Sequence, residues 1–304
     1  MAIGANLNSK LPIIVAGPTG VGKTAFAVDL AKRLDGEVIG ADAYQVYRGM
    51  EILTGQPTPK TLEAVPHHLI GFLALAEPFD AARFATLARE KISEVLARGK
   101  VPIVAGGSGL YIKALTHGLA DVPPANLTLR TKLARLSPRQ LHERLVEIDP
   151  AAQLDFKNPR RVLRALEICI LTGRPASEMR REWGKKDAPG FRGLLLVRER
   201  GELQARIAVN VRTMFERGVV AEVGEIKAIG KTAAMAIGLG EIRSLRRGEI
   251  SLDECIAAVT LSTLRYAKRQ LTWFRNQFRF HGIDLTGLRD TQIPPRAMES
   301  LGVA

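Results

Sequence analysis

Short apolar runs alternate with amphipathic stretches along the first hundred residues of the chain. Residues 12–16 (PIIVA) are apolar and β-branched, which is typical of a buried parallel strand. Apolar side chains then recur at helical spacing from residue 25 to residue 34. The same two patterns predict further strands at 37–41, 101–105 and 194–197 and a helix at 81–98. Strands that alternate with helices predict an α/β fold, with a parallel sheet flanked by helices.

The pattern becomes helical, without strand-like runs, between about Asp121 and Gly190. This stretch is strongly basic from Lys157 to Lys186. We therefore predict a helical insertion at residues 121–190, which divides the α/β core into residues 1–120 and residues 191–304. The second part of the core is expected to hold one strand and to be mostly helical.

Composition narrows the class of protein. The 304 residues include 44 Lys and Arg against 31 Asp and Glu, a net charge of +13. This excess predicts a polyanionic partner, most commonly nucleic acid, and a basic surface without a partner is the alternative. No apolar run is long enough for a membrane span, and the first residues lack a signal-peptide core. Cys169 and Cys255 lie far apart in apolar helical patterns, which excludes a disulfide framework. We therefore expect a cytoplasmic protein without a membrane partner and, because no long apolar stripe is left over, a monomer.

Residues 17–24 (GPTGVGKT) fit the pattern G-x-x-x-x-G-K-[ST] between a predicted strand and a predicted helix. Glycines let the backbone turn its N–H groups towards phosphate oxygens, and the helix N-terminus adds a positive dipole end. The lysine adds a point charge and Thr24 offers a hydroxyl for Mg²⁺. A nucleoside triphosphate is the commonest ligand of such a loop, but any diphosphate ester fits the same cradle. The predicted phosphate-binding residues are Gly17, Pro18, Thr19, Gly20, Val21, Gly22, Lys23 and Thr24.

Two more features follow the carboxyl ends of predicted strands, the edge at which open α/β sheets bind ligands. Asp42 follows the second strand, where a carboxylate can coordinate Mg²⁺ through water or accept a proton. The alternative is that Asp42 caps a local turn. Tyr44, Gln45 and Tyr47 come next and suit either base contacts or packing. Residues 106–109 (GGSG) follow the third strand, and Ser108 supplies a hydroxyl there, as it also would in an ordinary strand-to-helix turn.

A basic helix is predicted inside the insertion. Asn158 followed by Pro159 is a typical helix start. Arg160 and Arg164 then share one face with Arg161 beside them, which suits phosphate contacts or a solvated surface. The opposite side, expected to be buried, carries Leu163, Leu166 and Ile170.

A longer basic helix is predicted after a capping box at residues 251–254 (SLDE). No acidic residue follows between Cys255 and Ile283. If the helix persists, one face carries Arg265, Lys268, Thr272, Arg275 and Arg279. The aromatic side chains of Trp273, Phe274 and Phe278 interleave with them and suit base stacking or the core, with the core favoured for Phe274.

Six motifs follow one another along the chain: GPTGVGKT at 17–24, DAYQVY at 42–47, PHHL at 66–69, GGSGLY at 106–111, NPRR at 158–161 and KRQLTWFR at 268–275. In this order they resemble the bacterial tRNA dimethylallyltransferases, also called tRNA isopentenyltransferases, over residues 12–279.

The resemblance implies a P-loop NTPase-like core whose loop binds the diphosphate of dimethylallyl diphosphate. The dimethylallyl group would pass to N6 of adenine 37 in tRNA, with Mg²⁺ as cofactor, while the insertion grips the anticodon stem-loop. Asp42 is implied to accept the proton, with Thr19 and Lys23 as further catalytic residues. The implied tRNA contacts are Asp42, Ala43, Tyr44, Gln45, Ser108, Arg130, Arg160, Arg161, Val162, Leu163 and Arg164.

The chain departs from the family pattern at three places. Ala43 stands where many members carry Ser, and Asn210 stands where many carry an Arg that is linked to the diphosphate. Residues 238–241 read GLGE, with Leu239 and Gly240 where many members read Tyr-Arg. Two cationic positions are therefore absent, and spacing suggests Arg206, one helical turn before Asn210, or Arg243 as a substitute.

Two other functions share parts of this pattern. A small-molecule kinase or an adenylate isopentenyltransferase needs the loop and the Asp after the second strand, but no basic insertion. An RNA-binding P-loop protein whose catalysis is weakened by these departures would account for the basic surfaces.

Overall fold

The structure is a computed structural model that describes residues 11–119, 123–155, 157–182, 187–188, 190–289 and 292–302. Two compact units are present, one formed by residues 1–116 and 187–304 and the other by residues 117–186. The insertion was predicted to start at Asp121, and that position lies outside the described residues, as do Lys185 and Lys186 of the basic stretch. None of the described helices is long and apolar enough to cross a membrane.

The larger unit is built on a six-stranded, wholly parallel sheet. The strands are β1 (Ile13–Ala16), β2 (Gly36–Gly40), β3 (His67–His68), β4 (Val101–Gly106), β5 (Arg192–Val197) and β6 (His281–Asp284). Their order in the sheet is β3-β2-β4-β1-β5-β6, and the registers pair Val15 with both Ala105 and Leu194 across the centre. The predicted α/β fold with a parallel sheet is confirmed.

Alternate side chains of the buried strands point to opposite faces of the sheet and pack into two cores, one on each face. Ile13 and Val15 of β1 pack with Phe26, whereas Ile14 packs on the other face with Phe84. The helices of this unit are α1 (Lys23–Leu34), α2 (Pro59–Ala64), α3 (Ala81–Ala97), α4 (Gly109–His117), α9 (Arg200–Glu216), α10 (Val219–Gly224), α11 (Leu239–Arg246), α12 (Leu252–Gln277) and α13 (Pro295–Ser300).

The smaller unit is helical in its described part and has a core of its own. It contains α5 (Leu127–Leu133), α6 (Pro138–Ile148), α7 (Pro159–Thr172) and α8 (Ala176–Glu182). On α7 the buried stripe runs through Val162, Leu166 and Cys169. The expectation that Ile170 is buried is wrong, because the stripe passes through Cys169 instead and leaves Ile170 47% exposed.

Helix α12 has the predicted capping box, in which Ser251 and Glu254 bond reciprocally. It spans 26 residues and ends at Gln277. Arg279 was expected to continue its basic face, but it lies beyond the helix end, 3.7 Å from the carboxylate of Asp187. Phe274 and Phe278 are buried in the core, and Trp273 is half-buried against them. The exposed face of α12 therefore carries charge, whereas its aromatic side chains pack inside.

Candidate active site

Three loops meet at the carboxyl edge of the central strands. Strand β4 lies between β2 and β1, so the segments that follow these three strands are neighbours. They border a cavity of about 750 Å³. Of the predicted site residues, those that line it are Thr19, Gly20, Gly22, Lys23, Thr24, Asp42, Tyr44 and Gln45.

The loop after β1 has the backbone that its glycines allow. Gly20 and Gly22 adopt φ values of 78° and 107°, a region that other residues rarely enter. A Cβ on Gly17 would lie 2.9 Å from the carbonyl oxygen of Leu196 on the neighbouring strand. Helix α1 begins at Lys23 and Gly22 offers no side-chain cap, so the first N–H groups of the helix are open to an anion.

Lys23 lies over the loop that precedes it. Its Nζ donates a hydrogen bond of 2.8 Å to the carbonyl oxygen of Pro18. Burial lowers the pKa of the Lys23 ammonium to about 8, and the nearby carboxylate of Asp42 opposes that shift. The cation of the loop and the acid after β2 therefore interact electrostatically in one cavity.

Asp42 both caps a turn and borders the cavity. Its Oδ1 accepts hydrogen bonds from the backbone N–H groups of Tyr44, at 3.0 Å, and Gln45, at 3.4 Å. From the part of the chain that the structure describes, no hydrogen bond reaches Oδ2. One oxygen thus fixes the local turn, as the alternative interpretation proposed, and the other can act on a ligand.

Ser108 and Ala43 lie behind this turn. The Oγ of Ser108 accepts a hydrogen bond of 2.8 Å from the backbone N–H of Ala43, and Ser108 is buried. A Cβ on Gly106 would lie 2.0 Å from the carbonyl oxygen of Ala41, so the two loops approach as closely as glycine permits. Ser108 therefore supports the position of Asp42.

Of the aromatic and amide side chains that follow Asp42, one packs in the core and two border the cavity. Tyr47 is fully buried and its hydroxyl donates to the carbonyl oxygen of Glu77. Tyr44 is half-buried at the cavity, where burial and then the charge of Asp42 raise the pKa of its hydroxyl. Gln45 also lines the cavity, and its amide donates to the carbonyl oxygens of Thr54 and Gly55.

Three cavity residues come from helices far along the sequence. The amide of Gln270 accepts from the N–H of Thr19 at 2.8 Å and donates to the carbonyl oxygen of Gly107 at 2.9 Å. Tyr266, one turn earlier on α12, lines the same cavity, and burial raises its pKa far above the usual range. Of the two arginines suggested as substitutes, Arg206 lines the cavity and its Nε donates to the carbonyl oxygen of Gly20 at 2.9 Å. Sequence reasoning assigned no role to Gln270 or Tyr266.

The donor set of the cavity fits a magnesium ion held partly by ligand phosphates. Thr24 is exposed at the start of α1, and Asp42 borders the same cavity. Mg²⁺ is usually held by one or two protein oxygens together with phosphates and waters. No cluster of three His, Cys, Asp or Glu that could cage a metal occurs among the described residues.

The remaining predicted tRNA contacts lie in the helical unit, where a buried carboxylate binds two of them. Glu167 is fully buried and binds Arg130 at 2.9 Å and Arg164 at 2.7 Å. Arg160 and Arg161 are exposed at the start of α7. Val162 is fully buried and Leu163 half-buried, so their side chains face the core of the unit. Arg160 and Arg161 are therefore the most accessible cations of this group.

Known proteins resemble most of the chain. A family model described as IPP transferase matches residues 45–277. A tRNA dimethylallyltransferase of Akkermansia muciniphila is 42% identical over 88% of this chain and 91% of its own length, and one of Syntrophobacter fumaroxidans is 43% identical over 90% and 84%.

Solved structures agree with these relatives. A tRNA isopentenylpyrophosphate transferase from Bacillus halodurans superposes with a TM-score of 0.69 at 38% identity and covers 97% of this chain and 95% of its own. A eukaryotic dimethylallyltransferase acting on tRNA gives a TM-score of 0.80 at 29% identity, over 95% and 78%. By sequence and by structure, this chain belongs to the IPP transferase family.

Proposed function

We propose that this protein transfers a dimethylallyl group from dimethylallyl diphosphate to N6 of adenine 37 in tRNA and releases diphosphate. The observation that carries the proposal is that the phosphate loop and Asp42 line a single cavity. Relatives named tRNA dimethylallyltransferase, which match most of the chain, support it.

The leaving group determines what the loop must do. Departure of diphosphate breaks the C–O bond and leaves an allylic carbon with developing positive charge, while the negative charge accumulates on the phosphate oxygens. The first N–H groups of α1 and the ammonium of Lys23 lie where they can neutralise that charge. Thr24 would hold Mg²⁺, which supplies further charge neutralisation on the diphosphate.

The nucleophile needs a proton acceptor. The exocyclic amine of adenine is conjugated with the ring, so it becomes nucleophilic enough only when its proton can leave. Oδ2 of Asp42 would accept that proton, while Oδ1 keeps the turn in shape through the N–H groups of Tyr44 and Gln45. The lost proton passes to the carboxylate as the new C–N bond forms.

Part of the cavity wall is apolar. The side chains that form it come from α9, α12 and the loops before α2 and α11, and they are Ile52, Leu53, Ile207, Val211, Met214, Ile237 and Val259. A wall of this kind suits a branched five-carbon chain, whose burial is favourable, better than the hydroxyl-rich substrate of a small-molecule kinase. The apolar lining therefore favours the prenyl transferase over that alternative.

Basic surfaces in both units suit RNA. Arg160 and Arg161 are exposed at the start of α7, and Arg265, Lys268 and Arg275 are exposed on α12. We propose that the helical unit binds the anticodon stem-loop through such contacts with phosphates. These contacts would offset the free energy needed to unstack a base and bring it to the active site, roughly a few kcal/mol.

One experiment tests the function. The protein is incubated with Mg²⁺, labelled dimethylallyl diphosphate and unmodified tRNA, with AMP and ATP in parallel reactions. Label in tRNA is expected, at the adenine next to the anticodon. Label in the nucleotide alone would overturn the proposal in favour of an adenylate isopentenyltransferase. Binding of tRNA without transfer would overturn it in favour of a non-catalytic RNA-binding protein.

A further inference from the structure

Helix α9 passes the phosphate loop at close range. A Cβ on Gly20 would lie 2.7 Å from the Cγ1 of Ile207, so the loop and the helix meet without space for a side chain. The neighbouring Arg206 is half-buried, and its Nε donates to the carbonyl oxygen of Gly20 at 2.9 Å. Arg206 also lines the cavity together with Lys23. Its guanidinium thus contacts the loop and borders the space proposed for the diphosphate.

A second arginine contacts the loop from the buried side. The Nε of Arg198 donates to the carbonyl oxygen of Val21 at 3.0 Å, and its terminal nitrogens donate to the carbonyl oxygens of Leu285 and Leu288. Its side chain is wholly buried and also pairs with Glu202. Arg198 is therefore surrounded by backbone carbonyl oxygens in the interior, whereas Arg206 also borders the cavity.

Along α9, the side chains that face the cavity include Arg206, Asn210, Thr213 and Arg217, spaced by four, three and four residues. Asn210, one turn after Arg206, is neutral, and Arg217, at the C-terminal end of α9, lies about three turns from Arg206. A multiply charged leaving group needs more than one cation.

We propose that Arg206 is the second cation of the diphosphate site and that it also holds the Gly20 peptide in position, an inference that rests on the proposed function. A guanidinium has five N–H donors in one plane, so Nε can bind a carbonyl while the terminal nitrogens bind phosphate oxygens. Arg206 would thereby supply the positive charge that Asn210 does not provide in this chain.

Substitution of Arg206 tests the inference. Arg206→Met keeps the length of the side chain and removes its charge. It is expected to raise both the KM for dimethylallyl diphosphate and the Kd for inorganic diphosphate by about 10- to 100-fold, the usual effect of losing a charged hydrogen bond. The KM for tRNA should stay within about threefold of the original, because no tRNA contact is assigned to Arg206. Arg206→Lys, which keeps the charge but loses the planar donors, should give a smaller increase.

A rescue distinguishes a charge that binds diphosphate from a merely structural contact. Asn210→Arg, added to Arg206→Met, puts a cation back on the same face of α9 without rebuilding the hydrogen bond to Gly20. It should lower the Kd for inorganic diphosphate again by at least about threefold. Arg212→Met is the matched control, because it removes the same charge from an exposed position of α9 that lines a different surface. It should change neither constant.

The outcomes separate the two proposals. If Arg206→Met and Arg206→Lys both bind inorganic diphosphate as the original protein does, the role of Arg206 is overturned, whatever the transfer assay shows. If Arg206→Met weakens binding but Asn210→Arg restores nothing, the charge role is overturned and only the contact with Gly20 remains. If the unaltered protein binds diphosphate but transfers nothing to tRNA, the proposed function fails while the inference about Arg206 is still decided by the binding constants.

Discussion

The amide of Gln270 joins two loops of the cavity. Its removal should lower the free energy of unfolding by an amount that depends on whether residue 107 is still glycine. Gln270 is 6% exposed, accepts from Thr19 and donates to the carbonyl oxygen of Gly107. Gln270→Ala leaves both backbone groups without that partner. A buried polar group without a partner costs about 1–3 kcal/mol, so the expected loss in unfolding free energy is about 2–6 kcal/mol.

Gly107→Ala should break the same two hydrogen bonds by a different route. A Cβ at Gly107 would lie 2.2 Å from Nε2 of Gln270, so the amide has to move by roughly an ångström or more to reach ordinary contact. Gly107→Ala should therefore lower the unfolding free energy by about as much as Gln270→Ala does. In the double variant the methyl group enters space that Gln270 has left. The loss of unfolding free energy should then be close to that of one substitution and far below the sum of the two single losses.

Urea unfolding of the four proteins measures this coupling, and hydrogen exchange of the Thr19 amide reports it locally. Both single variants should lose protection at Thr19. Gly240→Ala is the control, because a Cβ at that exposed position of α11 meets nothing within 4 Å. It should be neutral or stabilise by up to about 1 kcal/mol. Single-variant costs that add to within about 0.5 kcal/mol would refute the proposed bridge.

Four further outcomes are expected. The kcat/KM for dimethylallyl diphosphate should fall as pH rises through about 8, where Lys23 loses its proton, and Lys23→Arg should remove that limb from the pH profile. Asp42→Asn, which keeps an oxygen to cap the turn, should lower kcat by at least about 100-fold in single-turnover assays while the Kd for tRNA changes less than about threefold; near-normal turnover would contradict the base role. Glu167→Gln should lower the unfolding free energy of the helical unit by roughly 2–4 kcal/mol, since it leaves two partly exposed guanidinium groups without their buried carboxylate. Burial raises the pKa of Glu167, but the hydrogen bonds from its two arginines outweigh burial and lower that pKa, so urea unfolding should show that this difference shrinks as pH falls below the ordinary value of 4.5. Replacing Arg160 and Arg161 with Gln should reduce the slope of log K for tRNA against log salt by about 0.9 for each phosphate that the two arginines neutralise, and an unchanged slope would count against their binding to phosphate.

The sequence predicted the strands that are buried on both faces and missed the two at the edges of the sheet. The central strands are apolar runs, and their periodicity survives in any environment. Strand β3 is only two residues long and consists of His67 and His68, and β6 (His281–Asp284) has one buried residue, Ile283. Such segments become strands because a neighbouring strand offers hydrogen bonds, and no pattern of their own reveals that.

The candidate site was predictable where strands end and hidden where distant helices contribute. The phosphate loop and Asp42 follow apolar runs, so the parallel sheet dictates that they meet. The role of Gln270 depends on how α12 packs against two loops. A single polar residue between buried positions of α12 was the available signal, together with a glycine at 107 that makes room for it. Arg164 shows the reverse case, a residue that was predicted as a site residue but has a structural partner. Its spacing placed it on the face of Arg160, but spacing could not reveal its ion pair with Glu167.

Lys23 in the phosphate loop and Asp42 after β2 are coupled through their charges. In the proposed reaction Lys23 has to be charged to bind the leaving group, and burial works against that charge. The carboxylate of Asp42 favours the ammonium form, so the group proposed to take the proton from the nucleophile also helps to keep the loop cationic. As Asp42 takes the proton, its negative charge would disappear and its attraction on Lys23 would weaken. The ammonium would then be free to act on the diphosphate when the negative charge of the leaving group is greatest. Asp42→Asn should for this reason affect two steps, since it removes the proton acceptor and also lowers the pKa of Lys23 further.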